Sequence, residues 1–408
     1  MALRERVVAK SSPASGEAAL PYATLVTRHA PTGKPHIAIV YPVPVPYSFP
    51  VLERIAAAPD FDTTVYYCRR ALSARGTAVP SARLRFPHVF LRNLGFVNVG
   101  REVRELDLNP SLPLTLERGH HALVVLSGFV QPTMLLGMTW ARARRRPYAL
   151  MSESHGLRER GPLRAAVRDA VVHRLVTNAA LLLPTGELAE HELLRLGGRE
   201  RAIARFPHVP DAETFHTRDR SQAREAWARR LGSSPGLLVV YVGRLVASKR
   251  VDVLLRAFAE AALPNAQLVV AGEGPLAERL RADAPPGVTF TGFLPTPDVA
   301  LLLRAADVAV VPSSDEPWGA VVLEAVASGT PVVATDVVAS AREVAAYGGA
   351  CLVPVDDVHA LAEALRAAAV SETLEELRRG AAAAAAQYTV DRAAESFLAG
   401  VRATLERA

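Results

Sequence analysis

Cysteine is scarce in this 408-residue chain: there are two, Cys68 and Cys351, and neither stands in a metal-ligand or redox spacing. A disulfide framework is not on offer, and two free thiols are the ordinary state of a protein in a reducing cytoplasm. Long apolar runs are missing too. None reaches the roughly 18 residues that a membrane-spanning helix requires, and the amino terminus lacks the apolar core of a secretory signal. The basic clusters carry no interleaved aromatics and no recognisable nucleic-acid module, so nucleic acid is not the expected partner. What is present is a chain half apolar and 22% charged, soluble and globular by composition, and long enough for two domains with a core each.

The charge is unevenly spread. Residues 1–206 hold 28 Lys and Arg against 16 Asp and Glu, and the rest hold 19 against 25. Basic residues cluster in ARARRRP (141–147) and recur in HGLRERGPLRAAVRD (155–169). A positive surface of this kind could meet an anionic membrane or an anionic acceptor, and a solvated arginine-rich face is the plainer reading.

Along the chain, residues 1–35 are polar and aperiodic, an extension before an ordered core that begins near PHIAIVYP (35–42). The next segment, PVPVPYSFP, has four prolines, which oppose both a helix interior and a central strand; a stiff exposed loop is expected. Strand-like runs at 62–68, 121–128 and 147–153 then alternate with helical patterns, the clearest being 163–179. The same alternation restarts after 206–215: strands GLLVVYVGRL, AQLVVAGEG, VTFTGF, VAVVPSS and TPVVATD are separated by amphipathic helices. Apolar strands between helices argue for parallel sheets covered on both faces. Two passes imply an α/β architecture of two doubly wound, Rossmann-like domains facing across a cleft. The boundaries read as 36–206 for the first domain and 207–388 for the second, with a last helix over 389–408. The alanine-rich tail from Thr373 is expected to be helical.

In such sheets ligands gather where strands end and helices begin. Three of these edges in the second half carry polar residues of one character. The first ends in Gly243, Arg244 and, shortly after, Lys249, two cations beside helix-start N–H groups; this suits phosphate, and equally a solvated capping loop. The second, LVVAGEGPL, places Gly272 and Gly274 around Glu273, where a backbone could approach a ligand or simply turn. The dinucleotide glycine fingerprint is absent. The third is SSDEPWGAVVLEAVASG: Glu316 lies in the loop, Gly319, Ala320 and Val321 open the helix, and Glu324 stands among apolar neighbours. A carboxylate there is costly unless it is hydrogen-bonded or paired. A pair of vicinal hydroxyls would satisfy both its oxygens, as a salt-bridge partner would one.

Taken together, VGRLVASKRVDVLLRAF, AGEGPL, VTFTGFLP, ADVAVVPSSDEPWGAVVLEAVASGTPVVATD and CLVPVDD closely resemble the donor-binding domain of family 4 retaining glycosyltransferases of the GT-B architecture (glycosyl transferases group 1). The likeness is strong over 236–356 and one of layout in the first half. It implies a hexosyltransferase that takes a nucleotide sugar as donor and a hydroxyl of a small-molecule, lipid-linked or polysaccharide acceptor, with no cofactor and no metal. It implies that Arg244 and Lys249, with the N–H groups of Gly319, Ala320 and Val321, hold the diphosphate. Glu324 would hold the ribose. Glu316, with Trp318 and Gly319, would hold the transferred sugar, and Gly292, Phe293 and Leu294 would lie near the base. Where the family carries glycines after the first strand, this chain has Pro42 to Tyr47; where it carries a histidine after the strand in PYALMSESHG, this chain has Glu153, with His155 two residues on. Either could contact the sugar or carry a proton in catalysis. A nucleotide-sugar 2-epimerase and a catalytically silent nucleotide-sugar binder are the alternatives on the same architecture.

Overall fold

The computed structural model describes residues 33–70, 84–94, 107–129, 131–154, 162–216 and 219–407. Among these, twelve strands form two six-stranded sheets, every pairing parallel. The first contains β1 (His36–Tyr41), β2 (Asp62–Tyr67), β3 (His88–Phe90), β4 (Leu123–Ser127), β5 (Tyr148–Ser152) and β6 (Leu181–Pro184). The second contains β7 (Leu237–Val242), β8 (Ala266–Ala271), β9 (Val288–Gly292), β10 (Val308–Val311), β11 (Val332–Thr335) and β12 (Ala350–Val353). The order is β3-β2-β1-β4-β5-β6 in the first and β9-β8-β7-β10-β11-β12 in the second, so the two sheets are wound identically. Each reverses direction once, between β1 and β4 and between β7 and β10, and at that point the helices diverge and leave a crevice beyond the strand ends.

The apolar strands are central because they are buried on both faces. Ile37 to Val40, Leu123 to Leu126, Leu238 to Val240 and Leu268 to Val270 are all at most 1% exposed. Helices with one apolar stripe cover them: in Val251–Ala261, Val251, Leu254, Leu255 and Phe258 are buried while Asp252, Arg256 and Glu260 face water.

One expectation needs correction. Residues 42–50 are not an exposed loop: Val43 and Pro44 are buried, a 3₁₀ turn spans Pro46–Ser48, and a helix, Phe49–Ala56, begins inside the segment. Pro46 and Pro50 sit in first turns, where a missing N–H breaks no bond. The tail is helical in two pieces. Ser371–Ala385 ends at a short turn, and Val390–Glu406 then returns to the first sheet, where Phe397 packs on Phe206 and Arg402 pairs with Asp60 at 2.8 Å.

The second sheet is pinned by Asp307, which stands just before β10. Its carboxylate accepts from Arg224 Nη1 at 2.7 Å, Arg378 Nη2 at 2.8 Å, Arg220 Nη2 at 3.2 Å and the backbone N–H of Leu238 at 2.8 Å. One acid thus ties β7 to the helices Arg220–Leu231 and Ser371–Ala385 that cover the sheet. Burial, with Arg378 alongside, pushes the Arg220 guanidinium down to about 10 in spite of Asp307. Asp307→Asn keeps the shape and leaves three guanidinium groups uncompensated, a loss expected to be about 2–4 kcal/mol because breaking a mostly buried charge cluster strands its partners. The measurement is the guanidinium chloride midpoint, and a midpoint equal to that of the unaltered chain would contradict the role of Asp307.

Candidate active site

At the switch point of the second sheet, three loops are drawn together by backbone hydrogen bonds. Leu245 N–H donates to the Glu273 carbonyl at 2.9 Å, Leu276 N–H to the Leu245 carbonyl at 3.1 Å, and Gly272 N–H to the Gly292 carbonyl at 2.8 Å. Gly272 has φ +145°, and a Cβ there would overlap the carbonyl oxygen of Gly243. Only glycine lets the β8 loop lie this close to the β7 loop. On the other side of β7, Ser314 N–H donates to the Ser248 carbonyl at 2.8 Å, fastening the β10 loop to the turn Ala247–Lys249.

The sequence-predicted donor residues fall on this rim. Arg244 is exposed and pairs with no described residue. Lys249 and Glu316, assigned separately to phosphate and to sugar, form an ion pair with each other, their side chains 23% and 15% exposed. The charge of Glu316, after burial itself, helps to hold the Tyr241 phenol above its ordinary range. Gly319 has φ +90° and is the residue from which the helix Ala320–Ala327 begins. A Cβ on it would meet Val338 Cγ1 at 2.8 Å and Ser340 Oγ at 3.1 Å. Ser340 Oγ donates to the carbonyl oxygens of Trp318 and Gly319, at 2.7 and 2.8 Å, so the turn is held from below. The helix's first N–H groups have no carbonyl within the helix and point into the crevice side of the loop.

Glu324 is one turn further along. Its carboxylate makes no hydrogen bond or ion pair with any described residue, and burial pushes it up to about 7. A half-buried acid without a partner, in a crevice that gathers ligands, is a group held ready for one. Gly292, Phe293 and Leu294 follow β9; Phe293 is 72% exposed, and its N–H reaches Glu273 Oε1 at 3.4 Å.

Trp318 is placed elsewhere. It is 3% exposed, and its Nε1–H donates to the His208 carbonyl at 3.0 Å, on the connector between the sheets. Its side chain is used at the seam and lies against Gly186 of the first sheet. His208 is a residue that sequence reading passed over; its Nε2 is 2.6 Å from Glu153 Oε1. Glu343, also passed over, crosses the same seam. Its carboxylate accepts from the Glu187 N–H at 2.6 Å and from the Tyr388 hydroxyl. No local signal marks either residue, since each acquires its partners from 45 or more positions away. His155 lies outside the described residues. A cleft of about 660 Å³ between the helices Arg220–Leu231 and Thr296–Ala305 contains none of these residues.

Residues 236–369 match the family model described as Glycosyl transferases group 1. The matched stretch holds the second sheet and the helices between its strands. A GDP-mannose-dependent alpha-(1-6)-phosphatidylinositol dimannoside mannosyltransferase of Mycobacterium tuberculosis is 36% identical over 245 residues, which cover 58% of this chain and 62% of that protein. A D-inositol 3-phosphate glycosyltransferase of Mycobacterium avium is 37% identical over 211 residues, 47% of each chain. The alignments thus span less than two thirds of these relatives. Among solved structures, Anabaena HepE with UDP and glucose superposes with a TM-score of 0.69 at 19% identity, covering 90% of this chain and 99% of that one. Sucrose-phosphate synthase from Thermosynechococcus elongatus gives 0.68 at 20% identity, covering 92% and 100%. The fold is GT-B, as the motifs of the donor half led one to expect.

Within the matched stretch, the unpartnered Glu324 has a cost that can be measured. Its folded-state pKa stands above the ordinary 4.5, at about 7. The stability it allows is therefore complete below about pH 4.5 and is lost as the pH rises through about 7. Glu324→Gln should raise the unfolding temperature of the ligand-free protein at pH 8, by an amount equivalent to roughly 2 kcal/mol, and change it little at pH 4.5. Equal melting of the two proteins at pH 8 would remove the desolvated carboxylate from this account.

Proposed function

We propose that the protein is a retaining hexosyltransferase that moves a sugar from a nucleoside-diphosphate sugar to an acceptor hydroxyl. The observation that carries this reading is the Glu324 carboxylate, without a partner among the described residues, on the helix that follows the loop of the Lys249–Glu316 pair at the switch point of the second sheet. Glu324 would accept from the two ribose hydroxyls, which satisfies both its oxygens and repays its burial. Phosphate arriving beside Arg244 would take Lys249 out of its ion pair and free Glu316 for the hydroxyls of the transferred sugar. Gly292, Phe293 and Leu294 would face the base.

In the reaction, the bond between the anomeric carbon and the diphosphate oxygen breaks, and negative charge grows on that oxygen. Arg244, Lys249 and the N–H groups of Gly319, Ala320 and Val321 meet the charge from fixed positions, so no metal is required by this reading. The acceptor hydroxyl enters from the face the diphosphate leaves and passes its proton to the departing diphosphate oxygen as the new bond forms, keeping the anomeric configuration. Glu316 positions the sugar and is not a covalent nucleophile. The curated relatives carry transferase names, one of them GDP-mannose-dependent, which favours transfer over epimerisation or silent binding.

The test is to incubate the protein with GDP-mannose and with UDP-glucose, with and without a cell extract as acceptor source, and to follow the nucleotide by mass spectrometry. Acceptor-dependent release of nucleoside diphosphate is expected, and Lys249→Ala should lower it by about 10²–10³-fold with the fold intact. Undiminished release by that variant would overturn the phosphate assignment, and an isomerised sugar nucleotide would replace transfer by epimerisation.

The acceptor lobe is also proposed to touch an anionic membrane from the cytoplasmic side, where two free cysteines are at home. Arg142, Arg144, Arg145 and Arg146 are exposed at the end of the helix Pro132–Ala143 and just beyond it. That helix packs on Leu112–Arg118, and between them they expose Leu114 and Leu135. No helix among the described residues is long and apolar enough to cross a membrane, so the contact would be peripheral. Cosedimentation with phosphatidylserine vesicles should occur at low salt and fade at 0.5 M. The variant with all four arginines changed to Gln should lose it, each cation contributing about 1 kcal/mol; binding indifferent to both would refute the contact.

A further inference from the structure

The first sheet has its own cavity, of about 180 Å³, at the carboxyl ends of β4, β5 and β6. Ser127, Glu153, Thr185 and His208 supply its polar lining, and Met151 and Phe206 its apolar part. Glu153 follows β5 directly. His208 comes from the connector between the sheets, so this wall joins the first sheet to the body that carries the donor residues.

The His208 ring is fixed before any ligand arrives. It is 8% exposed, the Tyr47 ring lies 5.0 Å from it, and its own carbonyl holds the Trp318 indole at 3.0 Å. Its Nε2 engages Glu153 Oε1 at 2.6 Å, a short charge-assisted bond. That bond fixes the carboxylate plane and leaves Oε2 without a partner among the described residues, on a side chain 47% exposed.

We propose that Glu153 and His208 form a dyad that binds hydroxyls of a neutral polyol ring, Glu153 touching the ligand and His208 acting as a positioning residue. A free carboxylate oxygen accepts from hydroxyls and repels phosphate or carboxylate. Among the described lining residues, His208 is the only basic side chain, and its Nε2 is already committed to Glu153. The volume corresponds to about six waters at ~30 Å³ each, room for one ring and not for a chain of them. Burial alone would raise the Glu153 carboxyl, but His208 outweighs it and holds the group below its ordinary value, so the acceptor oxygen is ionised at neutral pH. The other titratable group facing Glu153 is the Tyr41 phenol at the end of β1, itself held neutral by burial and by Tyr47, Tyr67 and Glu153.

This inference rests on the proposed transfer reaction, whose two sugars are the two sources of such a ring. The experiment uses the full chain. Ligand-observed NMR with myo-inositol and methyl α-mannopyranoside as neutral probes, and mannose 6-phosphate as the anionic one, reads an acceptor ring. Calorimetry of GDP-mannose against GDP, and UDP-glucose against UDP, reads the transferred sugar. Either the neutral probes bind at least tenfold better than mannose 6-phosphate, or the sugar nucleotide binds better than its nucleotide. In whichever arm responds, Glu153→Ala removes the preference and Glu153→Gln weakens it about tenfold. His208→Gln shifts the acid-side loss of that binding to higher pH, a change that a merely structural histidine would not produce. Retained GDP or UDP binding shows that each variant is folded and that the donor site stands. A preference for mannose 6-phosphate, or Glu153→Ala unchanged in both arms, overturns the dyad while leaving the donor reading intact. An unmoved pH limb in His208→Gln overturns its positioning role.

Discussion

The hydrogen bond from the Trp318 indole to the His208 carbonyl joins the loop after β10 to the connector between the sheets. Trp318 ends the loop that carries Glu316 and precedes the glycine at which the helix of Glu324 begins. His208 sits on the connector and holds Glu153 at the edge of the first sheet. This buried contact, beside the Glu343 bonds across the same seam, holds the Glu316 loop, the connector and Glu153 against one another. Because a buried indole N–H without an acceptor is costly, the arrangement resists being loosened at one end alone.

Around that contact the charged groups divide into satisfied and waiting ones. Asp307 is saturated by three arginines and a backbone N–H, and it serves the framework. Glu343 is likewise filled across the seam. Lys249 and Glu316 neutralise each other where a donor would divide them, and the side chains of Arg244 and Glu324 have no partner among the described residues. The waiting groups all lie at the crevice between β7 and β10. In a molecule that pairs its other buried acids so fully, this is the clearest physical sign of where a ligand belongs.

Much of this was legible along the chain. Parallel strands announce themselves as unbroken apolar runs, and the glycines of the β8 and β10 loops mark backbone approaches that no other residue permits. A glutamate inside Val-Val-Leu-Glu-Ala-Val-Ala is conspicuous because neighbours on the same helix are apolar for a packing reason it does not share. The proline segment at 42–50 misled because proline opposes a helix interior but suits a first turn, and the difference is one of position within an element that had not been seen to start there. The short strand β3 offered only three residues and no alternation.

Sequence by itself determined the two-pass α/β layout, the donor-side edges and the identity of the residues on them, since all of these rest on periodicity and on spacings within about ninety residues. Tertiary structure alone decided the partnerships. That Lys249 meets Glu316, that Trp318 turns inward to His208, and that His208 backs Glu153 depend on distances closed by packing between segments 55 to 110 positions apart. Hydrogen bonds and ion pairs act over a few ångströms of space and carry no mark in the order of residues, so only the folded chain shows which polar groups have been claimed and which are left for a ligand.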